Sequence, residues 1–159
     1  MSASSNLNGC AAGTLTPRTK VTDRVNARTR SRMMRAVKGF DTYPETAVRR
    51  ALHRAGLRFG IRRRDLPGRP DVVLPARRAV VFVHGCFWHQ HPDCPKAQRP
   101  LSNMAFWQNK LDANIERDAR NAAALHARGW RVFIVWECQL DEKRISRLVR
   151  QLASGSVCG

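Results

Sequence analysis

The stretch AVVFVHGCFWHQHPDC, residues 79–94, carries the strongest structural and chemical signals in the chain. Its first five residues are apolar and three of them are valine, a composition typical of a strand that is buried on both faces. The strand is followed by a loop in which two cysteines and two histidines lie within nine residues. We therefore predict a central strand that ends at a metal-binding loop.

The sequence before this stretch predicts one helix and two short strands. Thr42 and Glu45 have the spacing of a capping box, and apolar residues follow at helical intervals as far as Gly56, a typical stop. Residues 57–61 and 71–74 are short apolar runs that we expect to be strands.

The sequence after it predicts a helix, a strand and a second helix. Residues 103–127 carry an apolar stripe at helical spacing, residues 130–136 form another strand-like run, and Asp141 is placed to cap the last helix. The predicted order is α-β-β-β-α-β-α, an α/β fold in which helices flank a mixed sheet. The stripe consists of Trp107, Leu111, Ile115, Ala122 and Leu125.

The composition fits one folded domain with an anionic partner. The chain has 159 residues, 43% hydrophobic and 26% charged, which is enough apolar material for a core. Its 29 lysines and arginines against 12 acids give a formal net charge of +17. This charge favours a phosphate polymer, with an anionic membrane surface second. Because no apolar run reaches the ~18 residues of a membrane span and no signal peptide is evident, we expect no membrane partner and a reducing, cytoplasmic location.

The chain divides into three predicted segments. Residues 1–28 form a basic tail, residues 29–153 the folded domain and residues 154–159 a short C-terminal tail. Seven basic residues and one acid lie between positions 18 and 35. That stretch is either a solvated lead-in or, as we favour, an arm that orders on nucleic acid.

The cysteines and histidines of the loop have a spacing that suits tetrahedral zinc. One consistent ligand set is Cys86, His91, Cys94 and Cys138, the last of which follows the fourth predicted strand. Such a closed structural site would fix the loop to the end of that strand, and His89 would not be one of its ligands. The alternative is an unliganded loop in which Cys138 is only a small buried residue.

Asp71 predicts a second, catalytic cation site. It begins one strand, and the next strand ends at Val83 and His84, so pairing of the two strands would place these residues side by side. A carboxylate, a backbone carbonyl and an imidazole can together hold Mg²⁺ against a phosphate and move a proton. Taken alone, Asp71 would be interpreted as a turn or strand-capping residue, and the capping box gives Glu45 a structural role.

Large apolar side chains stand among the positive charges. Phe87 and Trp88 lie in the cysteine–histidine loop, Trp107 lies near the start of the long helix, and Met34 lies in the basic arm. Such residues can wedge between base pairs and kink a duplex. For Trp107, packing in the core is an equally good interpretation.

Five motifs together resemble the very-short-patch mismatch repair (Vsr) endonucleases. They are LPGRPD (66–71), VFVHGCFWH (81–89), ERD (116–118), GWRV (129–132) and VWEC (135–138), with partial matches at 30–36 and 41–45. The resemblance extends over about residues 29–152, nearly the whole folded part.

The resemblance implies a restriction-endonuclease-like fold and a strand-specific nick 5′ of the thymine in T:G mispairs, which arise when 5-methylcytosine deaminates. It implies Mg²⁺ at Asp71 and at the main-chain carbonyl of Val83, with Glu45 binding the metal through water. His84 and His89 would be active-site histidines, with His89 the general base and Asp118 orienting its ring.

The resemblance also implies partners and ligands. Double-stranded DNA would be the substrate of a monomer that works at the bacterial nucleoid, with other mismatch-repair proteins as further partners. The zinc ligands would be Cys86, His91, Cys94 and Cys138. The DNA contacts would be Met34, Phe87, Trp88 and Trp107, with Arg30 and Arg35 in the basic arm.

The sequence departs from the restriction-like superfamily in one respect. The usual Glu-x-Lys on the second strand is absent, and Phe82, Val83 and His84 stand there instead.

Two other functions stay open at this point. A related Mg²⁺-dependent nuclease with another target would use the same residues. A non-catalytic, zinc-stapled DNA-binding protein would keep the charge, the zinc and the aromatic residues, but it would not need Asp71 together with two histidines.

Overall fold

The structure is a computed structural model, and it describes residues 28, 29, 31, 32 and 39–154. Arg28, Thr29, Ser31 and Arg32 have helical backbone geometry. The predictions for Arg30, Met34 and Arg35, for almost all of the tail 1–28 and for all but Ser154 of the tail 154–159 lie outside the described residues.

Three α-helices, three strands and three single-turn 3-10 helices have assigned bounds within the described residues. Each α-helix begins where the sequence placed it: Thr42 caps the first and Asp141 caps the third through their side chains. The α-helices are α1 (Tyr43–Arg54), α2 (Met104–Ala127) and α3 (Glu142–Ala153), and the strands are β1 (Val72–Leu74), β2 (Ala79–His84) and β3 (Arg131–Trp136).

The sheet is mixed, as predicted, and has the order β1-β2-β3. Strand β1 runs antiparallel to β2, with Val72 opposite Val81. Strand β3 runs parallel to β2, with His84 opposite Trp136. Helix α2 provides the long connection that a parallel pair requires. The carboxyl ends of β2 and β3 therefore lie together at one end of the sheet.

The strand predicted at residues 57–61 is absent, so that prediction is wrong. Only Gly60 pairs there, in a single bridge to Val73. The reason is local: β1 is three residues long and offers little edge, while exposed arginines follow directly at positions 62–64. A run of five residues with Arg58 and Gly60 inside it cannot sustain a strand against so short a partner.

Two hydrophobic cores lie on opposite faces of the sheet. Side chains of α1 and α3, such as Leu52 and Leu152, pack with Val72 and Val81. On the other face Leu125 of α2 packs with Val73 and Val80. The alternation of partners along β1 and β2 is the two-residue period of a buried strand, and it confirms that β2 begins buried on both faces.

The predicted stripe of α2 is only partly buried. Trp107, Leu111 and Leu125 are buried, whereas Ile115 is 41% exposed and Ala122 lines a cavity. The helix has 24 residues and is about 36 Å long, so its ends pack while its middle turns border the cavity. No helix within the described residues is long and apolar enough to cross a membrane.

Candidate active site and metal cluster

A cavity of about 990 Å³ opens at the carboxyl ends of β2 and β3. It is bordered by the start of α1, the start of β1, the end of β2 and the middle of α2. The walls include all five residues predicted to be catalytic, namely Glu45, Asp71, His84, His89 and Asp118, together with Val83.

Asp71 lies directly beside the end of β2, as the strand pairing predicts. The Val83 N–H donates to Asp71 Oδ2 at 2.7 Å, because the antiparallel register that sets Val72 opposite Val81 places Asp71 one step further along. Burial, with the nearby Glu45 charge, raises the pKa of the Asp71 carboxyl to about 6, against the opposing effect of the Val83 N–H. A buried carboxylate that resists ionisation is a group that a cation would stabilise.

We expect Asp71→Asn to stabilise the zinc-loaded protein in magnesium-free buffer at neutral pH. Because the folded pKa lies above the unfolded one, the folded state is penalised as pH rises from about 4 to about 6, and the penalty is complete above that window. The asparagine oxygen can still accept the Val83 N–H, so the gain is roughly 2 kcal/mol above pH 6. Urea unfolding at pH 4 and pH 7 checks this: a gain that does not grow with pH would contradict it.

Two histidines stack against each other at the floor of the cavity. The rings of His84 and His89 have centroids 3.8 Å apart and lie 7° from parallel. Burial, aided by the adjacent His89, lowers the pKa of His84 to about 4, so at neutral pH His84 is uncharged. His84 therefore adds no positive charge to the stack at neutral pH.

Asp118 of α2 orients the His89 ring. His89 Nδ1 lies 2.5 Å from Asp118 Oδ2, a contact in which the ring nitrogen donates to the carboxylate and leaves Nε2 as the basic nitrogen. Arg117 also contacts Asp118, at 3.4 Å. An imidazole held this way can accept a proton while the carboxylate stabilises the resulting charge.

The second cluster joins the loop to the end of β3. His91 Nδ1 lies 3.6 Å from Cys86 Sγ and 3.2 Å from Cys138 Sγ, and Cys94 Sγ lies 3.9 Å from Cys138 Sγ. All four ligand atoms lie within 4.8 Å of one another. Ligand bonds of 2.0–2.3 Å around a tetrahedral centre imply separations of about 3.5–3.8 Å, so the donor set fits a zinc-sized ion.

The electrostatics of this cluster also favour a cation. Burial raises the pKa of the Cys86 thiol to about 12, and its contact with Cys138 adds to the rise. A thiol that cannot ionise by itself becomes a thiolate ligand only when a metal supplies the compensating charge. Gln139 Nε2 lies 3.3 Å from the far ring nitrogen of His91. A flip of the amide would place its oxygen there, where it can accept from the ring N–H and fix the ring for coordination.

Glu137 is a site residue that sequence reasoning missed. Its Oε1 accepts the Cys86 N–H at 3.1 Å, and its side chain borders the cavity. It thus connects the metal cluster with the catalytic cavity. The signal was its place immediately before Cys138, but nothing in the sequence indicated that its carboxylate would turn back to the loop.

An aromatic cluster stands beside the cavity. Phe87 packs edge-to-face on Trp88 at 5.1 Å and on Trp107 at 5.5 Å, while Phe106 packs on Trp107 at 5.3 Å. Trp107 is 8% exposed, whereas Phe106 is 49% exposed and Phe87 and Trp88 are half-buried. Lys110 lies over the Trp88 and Phe106 rings. Trp107 therefore supports the rings that face outward.

A family model described as DNA mismatch endonuclease Vsr matches residues 22–96. Among individual proteins, the type II nicking enzyme V.XorIIP of Xanthomonas oryzae pv. oryzae is 50% identical over 122 residues, which cover 77% of this chain and 89% of that protein. The DNA mismatch endonuclease Vsr of Escherichia coli K12 is 41% identical over 133 residues, 82% of this chain and 85% of the relative.

A Neisseria meningitidis protein, the type II nicking enzyme V.NmeAIP, is 39% identical over 137 residues. These residues cover 83% of this chain and 97% of that protein. The matches thus extend over most of both chains, and the names of the relatives include both mismatch endonucleases and nicking enzymes.

Proposed function

This chain belongs to the Vsr family of DNA mismatch endonucleases, and we propose that it nicks duplex DNA 5′ of the thymine in T:G mispairs left by deamination of 5-methylcytosine. The chain is a DNA endonuclease, a hydrolase of phosphodiester bonds. The observation that carries the proposal is the convergence of Asp71, His84, His89 and Asp118 on one cavity beside half-buried aromatic rings.

The binding of the catalytic metal would fall to Asp71 and the main-chain carbonyl of Val83. Both border the cavity, and their spacing is fixed by the hydrogen bond from the Val83 N–H to the carboxylate. Mg²⁺ bound there would supply Lewis-acid polarisation of a phosphoryl oxygen. Glu45, at the wall of the same cavity, would bind the water shell.

Proton transfer would fall to His89. With Nδ1 committed to Asp118, its Nε2 would take the proton of the attacking water, and the Asp118 carboxylate would stabilise the imidazolium. His84 stays neutral at physiological pH, so it does not compete for that proton or repel the charged ring.

The other ligands follow from the same proposal. Zn²⁺ would be structural and held by Cys86, His91, Cys94 and Cys138, with no open position for chemistry. Phe87 and Trp88, backed by Trp107, would wedge beside the mispair. Met34, Arg30 and Arg35 would reach the duplex from the arm before residue 39.

The proposal extends to architecture and setting. The mixed sheet with α1 and α3 on one face and α2 on the other supports a restriction-endonuclease-like fold over residues 29–153, preceded by the basic tail 1–28 and followed by 154–159. The chain would act as a cytoplasmic, nucleoid-associated monomer, with other mismatch-repair proteins as partners.

A second candidate is nicking of another target by the same active site. The observation in its favour is that the Xanthomonas and Neisseria relatives are named type II nicking enzymes. The non-catalytic DNA-binding alternative is not favoured, because the chain belongs to an endonuclease family.

The test is cleavage of end-labelled duplexes that carry one T:G mispair in several cytosine-methylation contexts, with Mg²⁺ and without it, beside matched C:G duplexes. The proposal expects a Mg²⁺-dependent nick on the thymine strand, 5′ of the mispaired base. Equal cutting of the matched duplexes would favour the second candidate.

We expect Asp118→Asn to slow nicking by about 10²-fold or more, because an amide that donates to Nδ1 would leave the proton on Nε2 and remove the base. Single-turnover rates at saturating enzyme measure this, with DNA affinity followed in parallel. Asp112→Asn is the matched control, since Asp112 lies on the same helix and pairs with Arg99 outside the cavity. Equal rates for the two variants would contradict the role of Asp118.

A further inference from the structure

The Glu45 carboxylate is held by three donors. Thr42 Oγ1 donates to Oε1 at 2.8 Å, the Asp41 N–H donates to Oε2 at 2.9 Å, and Arg49 Nη2 donates to Oε2 at 2.8 Å. Glu45 is 6% exposed and borders the cavity that also contains Asp71. Each oxygen therefore has a fixed partner on the protein side, and the carboxylate cannot turn toward Asp71 without breaking these bonds.

Arg49 makes a two-point bridge at the start of α1. Its Nη1 donates to Asp41 Oδ1 at 2.6 Å, while its Nη2 donates to Glu45. Asp41 is bound on its other oxygen by Arg62 and has φ +53°, a region that few residues other than glycine adopt. The bridge therefore ties Glu45 to a backbone turn that is itself held from the segment before β1.

Burial separates the contact of Arg49 with Glu45 from a surface ion pair, although the Asp41 carboxylate at the other end of the bridge is half exposed. The Arg49 side chain is 15% exposed, and its Nε is buried with no acceptor within residues 39–154 and the described residues before them. An unpaired buried N–H costs stability. Any stabilisation from this side chain must therefore come from its contacts with the two carboxylates. Arg50, the next residue, is exposed and makes no polar contact in the described part of the chain.

We propose that Arg49 is a positioning residue of the active site: its bridge between Asp41 and Glu45 holds the Glu45 carboxylate at the cavity wall, where it binds the water around the cation at Asp71 without displacing that water. The inference rests on the proposed function, which places Asp71 and Glu45 at the cation site. It assigns to Arg49 an orienting effect on Glu45 and no contact with substrate.

The test compares Arg49→Gln and Arg49→Lys with Arg50→Gln, which makes the same charge change one residue away. At saturating Mg²⁺, Arg49→Gln should lower the single-turnover nicking rate about 10–100-fold, and Arg50→Gln should stay within about twofold. Lysine keeps the charge but cannot reach both carboxylates as the planar guanidinium does, so Arg49→Lys should recover only part of the rate.

A readout without cleavage accompanies the rates. Mn²⁺ binding to the DNA-free, zinc-loaded protein, followed by electron paramagnetic resonance, should be no weaker in Arg49→Gln than in the parent, because a positive charge beside two carboxylates has been removed. Slow nicking without loss of metal binding identifies orientation, and not metal affinity, as the property that Arg49 provides.

Four results would overturn the inference: equal rates in Arg49→Gln and Arg50→Gln, recovery of the Arg49→Gln rate by excess Mg²⁺, weaker Mn²⁺ binding in Arg49→Gln, or full activity in Arg49→Lys.

If Arg49→Gln does not fold, Asp41→Asn removes the other end of the bridge and should show the same slow nicking. If the parent chain cuts another duplex but not T:G, that duplex serves for the rates. If the parent cuts no DNA, the proposed function fails, and the inference about Arg49, which rests on it, fails with it.

Discussion

Replacing Asp71 by asparagine or alanine lowers the nicking rate by about 10³-fold or more, while the affinity for duplex DNA changes by no more than a few fold. The carboxylate is the charged group that would hold the cation against the scissile phosphate, whereas the basic residues and the aromatic cluster proposed to bind DNA are left intact. Rates come from single-turnover cleavage of a T:G duplex, and affinities come from fluorescence anisotropy in Ca²⁺ or metal-free buffer.

Asp65→Asn is the control for Asp71. Asp65 lies six residues earlier in the sequence, is exposed and pairs with Arg63 outside the cavity, so its removal should leave the nicking rate within about twofold. Comparable activity in Asp71→Asn and Asp65→Asn would exclude Asp71 from the chemistry. Loss of DNA binding together with nicking in the asparagine variant would instead assign Asp71 to binding.

Replacing Cys86 or Cys138 by serine lowers the free energy of unfolding by about 4 kcal/mol or more, with loss of bound zinc. Metal binding in a structural zinc site contributes directly to folding, and here the proposed ion would join the loop that carries His89 to the residues that follow β3. Because Cys86 is fully buried, an unliganded serine there also leaves a polar group in the core. Zinc content by elemental analysis and urea unfolding measure the two effects.

Cys158→Ser is the control for the cluster, since Cys158 lies close to the C-terminus and outside the predicted ligand set. It should change neither zinc content nor stability. A purified parent chain with no bound metal and the same stability as Cys138→Ser would contradict the structural role of the cluster.

The helices and the paired strands could be predicted because local signals determine them. Thr42 and Asp141 mark helix starts through side-chain caps, and the valine-rich composition of β2 by itself predicts a strand. The strand at 57–61 could not be excluded in this way, because a strand depends on the length of its partner, and β1 has only three residues. Helical periodicity likewise does not reveal that Ile115 is left exposed or that Ala122 borders the cavity.

Some residues of the candidate site could likewise be predicted from local sequence signals, and others could not. Asp71 and Val83 are adjacent because antiparallel pairing of two recognisable strands brings them together, and Cys86, His91 and Cys94 are close in sequence. The approach of Cys138 to the loop follows from the parallel pairing of β2 and β3. The contributions of Glu137 and Arg49 depend on side-chain directions across elements, so only the three-dimensional structure places them.

The mismatch specificity of the proposed activity is tested most directly by letting two substrates compete for the enzyme in one reaction. A T:G duplex and its matched C:G counterpart, labelled with different dyes and present at equal concentration, are cut by limiting zinc-loaded enzyme in Mg²⁺. We predict a nick on the thymine strand 5′ of the mispair, formed at least about 100 times faster than any product from the matched duplex. Equal cutting of the two duplexes, or double-strand breaks in either, would contradict a mismatch-specific nicking function.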